Sequence, residues 1–421
     1  MTEFKRRDFL KLTAAAATLS AAGCATTSAS RGRVVVIGAG FGGATAAKYI
    51  RMWDPAIEVV LVEREGAFVS CPISNLVLAG YSTMQEITTG YDGLRRHGVQ
   101  VVRDEATAVD PAKRTVKLAR GGDLTYDRLV VSPGIDFTFG DVAGYEAAMN
   151  GGHVLHAWKA GPQTVELRKR LEQMKDGGVF VISVPVAPYR CPPGPYERAS
   201  VVAAYFKQAK PRSKVLVLDA NPDVTSKPGL FKAAWKDLYG GNLEFRGNAK
   251  AIGIDAKTMT VKLEVEDVKG DVLNVVPPHG AGQIARQAGL LTSSQRWCDV
   301  DWRTMESKTV KGIHVLGDAT LAASGMPKSG SMANNHGKIA AAAIVELLNG
   351  REPQPLKIIN TCYSFVSQRE AIRVSSVHEW DAAQGTLIPV KGSGGVSAAR
   401  SEAEGTLAWS WAKTIWADSL A

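Results

Sequence analysis

The 421-residue chain has only five cysteines and no C-x-x-C-H, so haem has no ordinary covalent attachment to it. No pair of histidines or cysteines has metal-ligand spacing, and no metal site is expected. There is no lysine- or arginine-rich tract and no aromatic RNA-binding motif, which argues against a nucleic-acid partner despite a net charge of +9. No transmembrane segment is expected, because the apolar run Leu12–Ala22 is too short and too alanine-rich to span a bilayer. Internal repeats are missing, as is low-complexity sequence after residue 30. What remains is an ordinary globular composition, 45% hydrophobic and 22% charged, long enough for two or three domains.

The first thirty residues read as a leader rather than as part of the fold. Phe4-Lys5-Arg6-Arg7-Asp8-Phe9-Leu10-Lys11 has the pattern of a twin-arginine export signal, followed by a short apolar run and small residues. Cleavage after Ser30 and a periplasmic location are expected. A lipid anchor on Cys24 is the alternative, although Ala21 is small for a lipobox position. Losing four basic and two acidic residues with the leader lowers the net charge from +9 to +7. That excess would steer an acidic protein or an anionic substrate, or simply be a solvated surface. Cys71, Cys191, Cys298 and Cys362 remain, and an oxidising compartment would allow them three pairings.

The mature chain opens with strand, glycine loop, helix and strand. Arg33–Ile37 is a β-branched run, Gly38-Ala39-Gly40-Phe41-Gly42-Gly43 follows, and Ala44–Arg51 reads as a helix before the strand Glu58–Glu63. Glu63 lies twenty residues beyond Gly43, where a carboxylate reads a ribose hydroxyl in dinucleotide folds, and Arg64 beside it joins the predicted cofactor contacts. Residues 97–134 are expected to form a small antiparallel excursion, with strands Val99–Arg103, Ala106–Asp110, Thr115–Leu118 and Leu124–Tyr126.

A second doubly wound unit is expected from the helix Thr164–Lys175, the strand Val179–Val184, the helix Tyr196–Gln208 and the strand Lys214–Asp219. Here the loop after the strand has lost its glycines. It holds five prolines between Pro185 and Pro195, together with Cys191, and no glycine before Gly194. Such a turn cannot bring its backbone up to a pyrophosphate, although Asp219 stands where a nicotinamide ribose would be read. The contrast between the two loops suggests an enzyme that keeps a flavin, does not use a nicotinamide and passes electrons through sulfur. Ile313–Leu316 followed by Gly317-Asp318 reads as a buried strand delivering a carboxylate to the cofactor. The helix expected from Gly330 would point its positive N-terminus at the same place. His314, His336 and Cys298 are expected to be structural.

These motifs together resemble the flavoprotein subunit of flavocytochrome c sulfide dehydrogenase. The resemblance covers residues 31–421 and is carried by Cys71-Pro72-Ile73-Ser74-Asn75, Tyr189–Arg198, Val276-Pro277-Pro278, Asn360-Thr361-Cys362-Tyr363-Ser364 and the tail with Trp409, Trp411 and Trp416. It implies an α/β, glutathione-reductase-like flavoprotein with two dinucleotide-binding-type domains and a C-terminal α+β domain. The expected boundaries are 31–145 with 286–350 for the FAD domain, 146–285 for the second domain and 351–421 for the third. By the same resemblance, FAD would lie on Gly38, Gly40, Gly43, Glu63, Arg64, Gly317 and Asp318, be tethered to Cys71 and be covered by Trp411 or a neighbour. Cys191 and Cys362 would form a redox-active disulfide, with Cys362 nearer the flavin. Glu197 would move a proton beside it or merely complement the helix dipole. Sulfide would be the substrate, and a separate c-type cytochrome subunit, carrying the haem, the electron acceptor. The rivals are a sulfide:quinone oxidoreductase, an NAD(P)H-dependent flavin disulfide reductase and an inactive subunit that organises a cytochrome.

Overall fold

Runs of valine, isoleucine and leucine with almost no polar interruption build the first sheet, as expected of parallel strands buried on both faces. The strands are β1 (Arg33–Ile37), β2 (Glu58–Glu63), β3 (Gln100–Arg103), β4 (Arg128–Val131) and, from much later in the chain, Ile313–Val315. They pair in parallel in the order 313–315, β4, β1, β2, β3. The computed structural model describes residues 30–292 and 294–421. The twin-arginine stretch and Cys24 lie outside the described residues.

One sequence expectation needs correction here. Gln100–Arg103 does not belong to the antiparallel excursion, which contains only Ala106–Asp110, Thr115–Leu118 and Leu124–Thr125. It lies parallel to β2, with Leu61 opposite Val101 and Glu63 opposite Arg103. The open edge of β2 takes up its backbone groups, which a four-residue strand on its own cannot satisfy. Alternation of side chains cannot distinguish these two partners.

Helix α1 (Phe41–Trp53) follows the glycine loop and is buried along Gly42–Lys48. The second unit contains α2 (Pro162–Gln173), β5 (Val179–Val184), α3 (Gly194–Ala209), β6 (Lys214–Asp219), β7 (Leu243–Arg246) and β8 (Val272–Val275). Its four strands are all parallel, in the order β7-β6-β5-β8. The chain enters and leaves this unit along a pair of antiparallel strands, Ile135–Phe137 against His279–Ala281. It then returns to the first sheet as β9 (Ile313–Val315) and runs into α4 (Gly330–Leu348). Helices α1 and α4 cross with their backbones nearly touching: a Cβ on Gly337 would sit 2.5 Å from the Gly42 carbonyl oxygen.

The third unit is an antiparallel sheet of β10 (Ile358–Phe365), β11 (Ala371–Asp381) and β12 (Thr386–Pro389), followed by α5 (Glu402–Leu420). The tail with Trp409, Trp411 and Trp416 is one long helix. Ser401 caps it, accepting the Glu404 N–H at 3.1 Å, with Glu404 completing an S-x-x-E pattern. Ala408, Ala412, Ile415, Trp416 and Leu420 are buried in the core of the first unit. Its C-terminal end is held by Asp418, which accepts from Tyr49 Oη at 2.6 Å and Asn334 Nδ2 at 2.7 Å and pairs with Lys338 at 2.8 Å. Replacing Asp418 with alanine leaves Tyr49 and Lys338 without this acceptor, at a local cost of about 2 kcal/mol, while Asn334 keeps Thr45 and Ser419. The expected result is a lower melting temperature. Hydrogen exchange should quicken across 402–420 while β5, β6 and β8 stay protected.

Candidate functional site

A cavity of about 1060 Å³ runs from the glycine loop to the junction of all three units. At one end are Gly38, Gly40, Glu63, Arg64, Gly317 and Asp318, and at the other Cys71, Cys191, Glu197, Cys362 and Trp411. Gly43, the remaining predicted glycine, acts behind the wall. Its Cβ would fall 1.9 Å from the Gly38 carbonyl oxygen, so only glycine lets the helix start against the strand. Gly38 has φ of +91°, a left-handed conformation that suits glycine. Gly40 differs from both, because a Cβ added there meets nothing and would project into open space. Glu63 is half-buried; Oε2 accepts the Ala39 N–H at 2.8 Å and Oε1 the Glu65 N–H at 2.9 Å. Arg64 is exposed at the rim and pairs loosely with Glu65 at 3.6 Å and Glu105 at 3.5 Å.

Asp318 lies on the one-turn segment Gly317–Ala319 after β9. Its Oδ1 is buried without a hydrogen-bond partner among the described residues, and burial raises the carboxyl's pKa. A buried unpaired carboxylate oxygen in a cavity wall calls for a hydroxyl donor from a bound molecule. The ribityl chain of FAD supplies such donors. With the glycine loop, the open space at Gly40 and Glu63, the residues present fit FAD. His336 steadies the turn by accepting the Gly317 N–H at 3.1 Å through Nδ1, and burial lowers its pKa to about 3, keeping it neutral. Lys328 lies beneath the turn, donating to the Asp318 carbonyl at 3.0 Å and to that of Thr320, and sits 3.6 Å from the centre of the Trp297 ring. Burial brings its pKa down to about 7.

The sulfur end is assembled from three distant segments. Cys71 follows Ser70, whose hydroxyl accepts from Trp416 Nε1 at 2.9 Å, so the C-terminal helix fixes the Cys71 backbone. Ile73, two residues on, has φ of +74°, a strained conformation for a β-branched residue. Cys191 also has positive φ, +57°, with its N–H donating to the Lys328 carbonyl at 2.9 Å and its carbonyl accepting from Gly194 at 2.9 Å. A Cβ on Gly194 would lie 3.0 Å from Cys191 Sγ, so the sulfur rests over the first turn of α3. Cys362 stands midway along β10, with Sγ 3.4 Å from Asn360 Oδ1. All four cysteines of the described residues are free thiols, so the expected Cys191–Cys362 disulfide is not formed in this structure. Both nevertheless line the same cavity. Cys298 is fully buried in the first core, away from the other three.

Glu197 lines the same cavity as the three sulfurs. Its Oε1 accepts the Phe365 N–H at 2.8 Å and its Oε2 accepts from Asn75 Nδ2 at 2.8 Å. Burial raises its pKa, against the pull of those two donors. Burial likewise pushes both thiols up, Cys191 furthest. Several residues that sequence reasoning gave no role complete the site. Arg198 is fully enclosed and donates to Asn75 Oδ1 at 3.0 Å, Asn274 Oδ1 at 2.9 Å and the carbonyls of His156 and Ala157 at 2.9 and 2.7 Å. Lys227 is buried and donates to Ser364 Oγ at 3.0 Å. A charged pair, Glu197-Arg198, ahead of the mostly apolar run Ala199–Phe206 was the available signal; nothing in the local sequence marks Lys227. Trp411 lines the cavity beside Tyr363, whereas Trp409 packs against the first core.

Where a nicotinamide would bind, the second unit is closed. Asp219 is fully buried, its Oδ2 accepting from Tyr196 Oη at 2.7 Å and its Oδ1 from the Asn221 N–H and Nδ2 at 2.9 and 2.8 Å. It is spent within the fold rather than presented to a ribose.

Comparison with known proteins agrees with this architecture. Residues 164–277 match the central region of the sulfide dehydrogenase (flavocytochrome c) flavoprotein chain, and 354–420 its flavin-binding region. Residues 32–172 match the pyridine nucleotide-disulphide oxidoreductase family. The flavoprotein chain of sulfide dehydrogenase (flavocytochrome c) from Chlorobaculum thiosulfatiphilum is 64% identical over 45 residues, 11% of this chain and 94% of that one. The chain belongs to this flavoprotein family. The mitochondrial sulfide:quinone oxidoreductase of Dictyostelium discoideum is 25% identical over 298 residues, which cover 68% of this chain and 65% of that enzyme. The structure of sulfide:quinone oxidoreductase from Aquifex aeolicus superposes with a TM-score of 0.75 at 20% identity, over 92% of this chain and 91% of that one. That likeness establishes the α/β, glutathione-reductase-like flavoprotein fold.

Gly40 gives a clean test of the cofactor loop. Because a Cβ there meets no protein atom within 4 Å, Gly40→Val is expected to fold with unchanged circular dichroism. It should be purified with flavin content lower by about tenfold or more, since its methyls fill the space a pyrophosphate needs. The yellow absorbance per mole of protein reports the result.

Proposed function

We propose that the chain oxidises sulfide through a Cys191–Cys362 disulfide, using FAD, and delivers the electrons to a c-type cytochrome on a separate subunit. The observation that carries this reading is the convergence of Cys71, Cys191, Cys362 and Glu197 on one cavity that begins at a dinucleotide loop. Family membership supports the substrate. The spent Asp219 and the proline-locked loop argue against a nicotinamide donor, and the twin-arginine stretch against a cytosolic setting.

Hydrosulfide attacks the disulfide at Cys191 Sγ; the S–S bond breaks, its electron pair leaves on Cys362 as a thiolate, and Cys191 keeps a persulfide. A second hydrosulfide takes the outer sulfur, releasing a disulfane anion and leaving two reduced cysteines with one proton. Glu197, its proton affinity raised by burial, is placed to hold that proton. Gly38, Gly40, Glu63, Gly317 and Asp318 hold the flavin, Cys71 tethers it and Trp411 shields it. The flavin supplies a two-electron acceptor for re-forming the disulfide and single electrons for the cytochrome.

The runner-up is a sulfide:quinone oxidoreductase, favoured by the relatives and the shared fold. Against it, the apolar residues of α5 face inward, leaving Leu407 as its exposed large apolar side chain, and no helix among the described residues is long and apolar enough to cross a membrane. Faster reduction of a quinone analogue than of cytochrome c would favour that reading.

Cys191→Ser and Cys362→Ser are each expected to retain FAD but lose sulfide-dependent bleaching of the flavin by orders of magnitude in anaerobic stopped flow. Near-normal bleaching in either variant removes the disulfide from the reaction, and bleaching by stoichiometric NADH points to a nicotinamide reductase instead. The tether predicts that acid-precipitated protein keeps its flavin fluorescence, whereas Cys71→Ala releases all of it to the supernatant.

A further inference from the structure

Lys227 is an expensive residue to bury. Only 6% of it is exposed, and it occupies a left-handed turn, φ +54° and ψ 44°, immediately before the helix Pro228–Tyr239. No carboxylate pairs with it within ion-pair distance among the described residues. Its Nζ donates to Ser364 Oγ at 3.0 Å and lies 5.7 Å from the centre of the Phe231 ring. Stability alone does not call for an amine here, because desolvating an ammonium costs far more than one hydroxyl hydrogen bond returns.

The neighbour it does have is sulfur. Ser364 and Cys362 are two residues apart on β10 and therefore share a face of the strand, which brings the amine to the side of the strand that carries the thiol. We propose that Lys227 is the positioning cation that makes Cys362, rather than Cys191, the sulfur that carries negative charge when the disulfide opens. The direction of attack follows: with the leaving charge stabilised at Cys362, hydrosulfide adds to Cys191. Hydrosulfide brings one negative charge, the new S–S bond forms at Cys191 as the old one breaks, and the same single charge leaves on Cys362 beside the ammonium. This assignment rests on the disulfide reading above and adds to it a reason for the asymmetry.

The other groups around the two sulfurs act in both directions, with Lys227 and Glu197 on the side of the asymmetry and Arg190 and Arg198 against it. Cys362 faces Lys227 from the turn before 228–239, Glu197 from α3, Cys191 from the proline loop, and the uncharged Ser329 and Asn360. After burial, Lys227 is the strongest influence on Cys362 and favours its thiolate. For Cys191 the strongest after burial is Glu197, which opposes the thiolate, with Arg190 favouring it less and Cys71 opposing it. Arg198 gives its donors to Asn75, Asn274 and two carbonyls, but keeps its charge, which lies nearest Cys191 and Cys71 and so works against the asymmetry. Burial lowers the Lys227 pKa, and Cys362, Glu197 and Cys191 each draw it back up.

The test uses flavin-loaded protein, reduced with a dithiol, freed of excess reductant and alkylated with iodoacetamide across a range of pH without sulfide. Peptide mass spectrometry reads each cysteine. In the wild type, the pH midpoint for alkylating Cys362 is expected to lie below that for Cys191. In Lys227→Met the Cys362 midpoint should rise by at least about one pH unit, the effect expected when a neighbouring opposite charge is lost. Cys191 should move less, and Lys227→Arg should bring the Cys362 midpoint back toward the wild type. An unchanged Cys362 midpoint in Lys227→Met, or an equal shift at Cys191, overturns the proposal. If Lys227→Met does not fold, the wild-type order alone decides, and a lower midpoint for Cys191 overturns it. These midpoints are independent of whether sulfide bleaches the flavin in Cys191→Ser and Cys362→Ser, so failure here and failure of the sulfide reading are distinguishable.

Discussion

A single buried carboxylate holds the three parts of the molecule in register. Glu197, in the first turn of α3, accepts from Phe365 of the C-terminal sheet and from Asn75 of the segment that carries Cys71. Asn75 in turn receives Arg198, which also reaches Asn274 on β8 and the carbonyls of His156 and Ala157. Such a knot is stable only when complete, because a buried charge left without partners costs several kcal/mol. Its completion brings Cys71, Cys191 and Cys362 to one wall from positions up to 291 residues apart. The same carboxylate that orders the site is the group to which the proposed reaction gives its proton.

The two halves of the chain use the same parallel-sheet architecture to opposite ends. In the first, glycines let the backbone approach a bound phosphate and leave Glu63 half-exposed in the cavity wall. In the second, the corresponding turn carries prolines and presents Cys191 over the start of α3. Its network of Tyr189, Tyr196 and Thr225 hydroxyls closes over Asp219. Loss of glycine and burial of the acid are two aspects of one change, which turns a nucleotide cradle into a rigid mount for sulfur.

Much of this was legible in the sequence because it is local. The fingerprint, the strands flanking it and the acid at Glu63 are set by short-range pattern, as is the oddity of a proline-rich cysteine loop. The structure also places Cys71, Glu197, Cys362, Asp318 and Trp411, singled out in the sequence, in one cavity. What escaped depends on partners distant along the chain. Gln100–Arg103 alternates equally well for either sheet, and only the free edge of β2 selects the parallel one. The tail gives little helical signal because α5 buries small residues, Ala408 and Ala412, beside Trp416 rather than a row of leucines. Lys227 precedes a proline and looks like any surface lysine; its burial follows from the docking of β10 some 137 residues later.

The central claim is that Cys191 and Cys362 form one disulfide, which sulfide opens in a defined direction. Peptide mapping of the air-oxidised, flavin-loaded protein under acid quench, before and after one equivalent of sulfide without an electron acceptor, tests it most directly. A Cys191–Cys362 cross-linked peptide is expected before addition. Afterwards a fraction of molecules should carry one extra sulfur on Cys191, with Cys362 free. A link from either residue to Cys71 or Cys298, or the extra sulfur on Cys362, would contradict it.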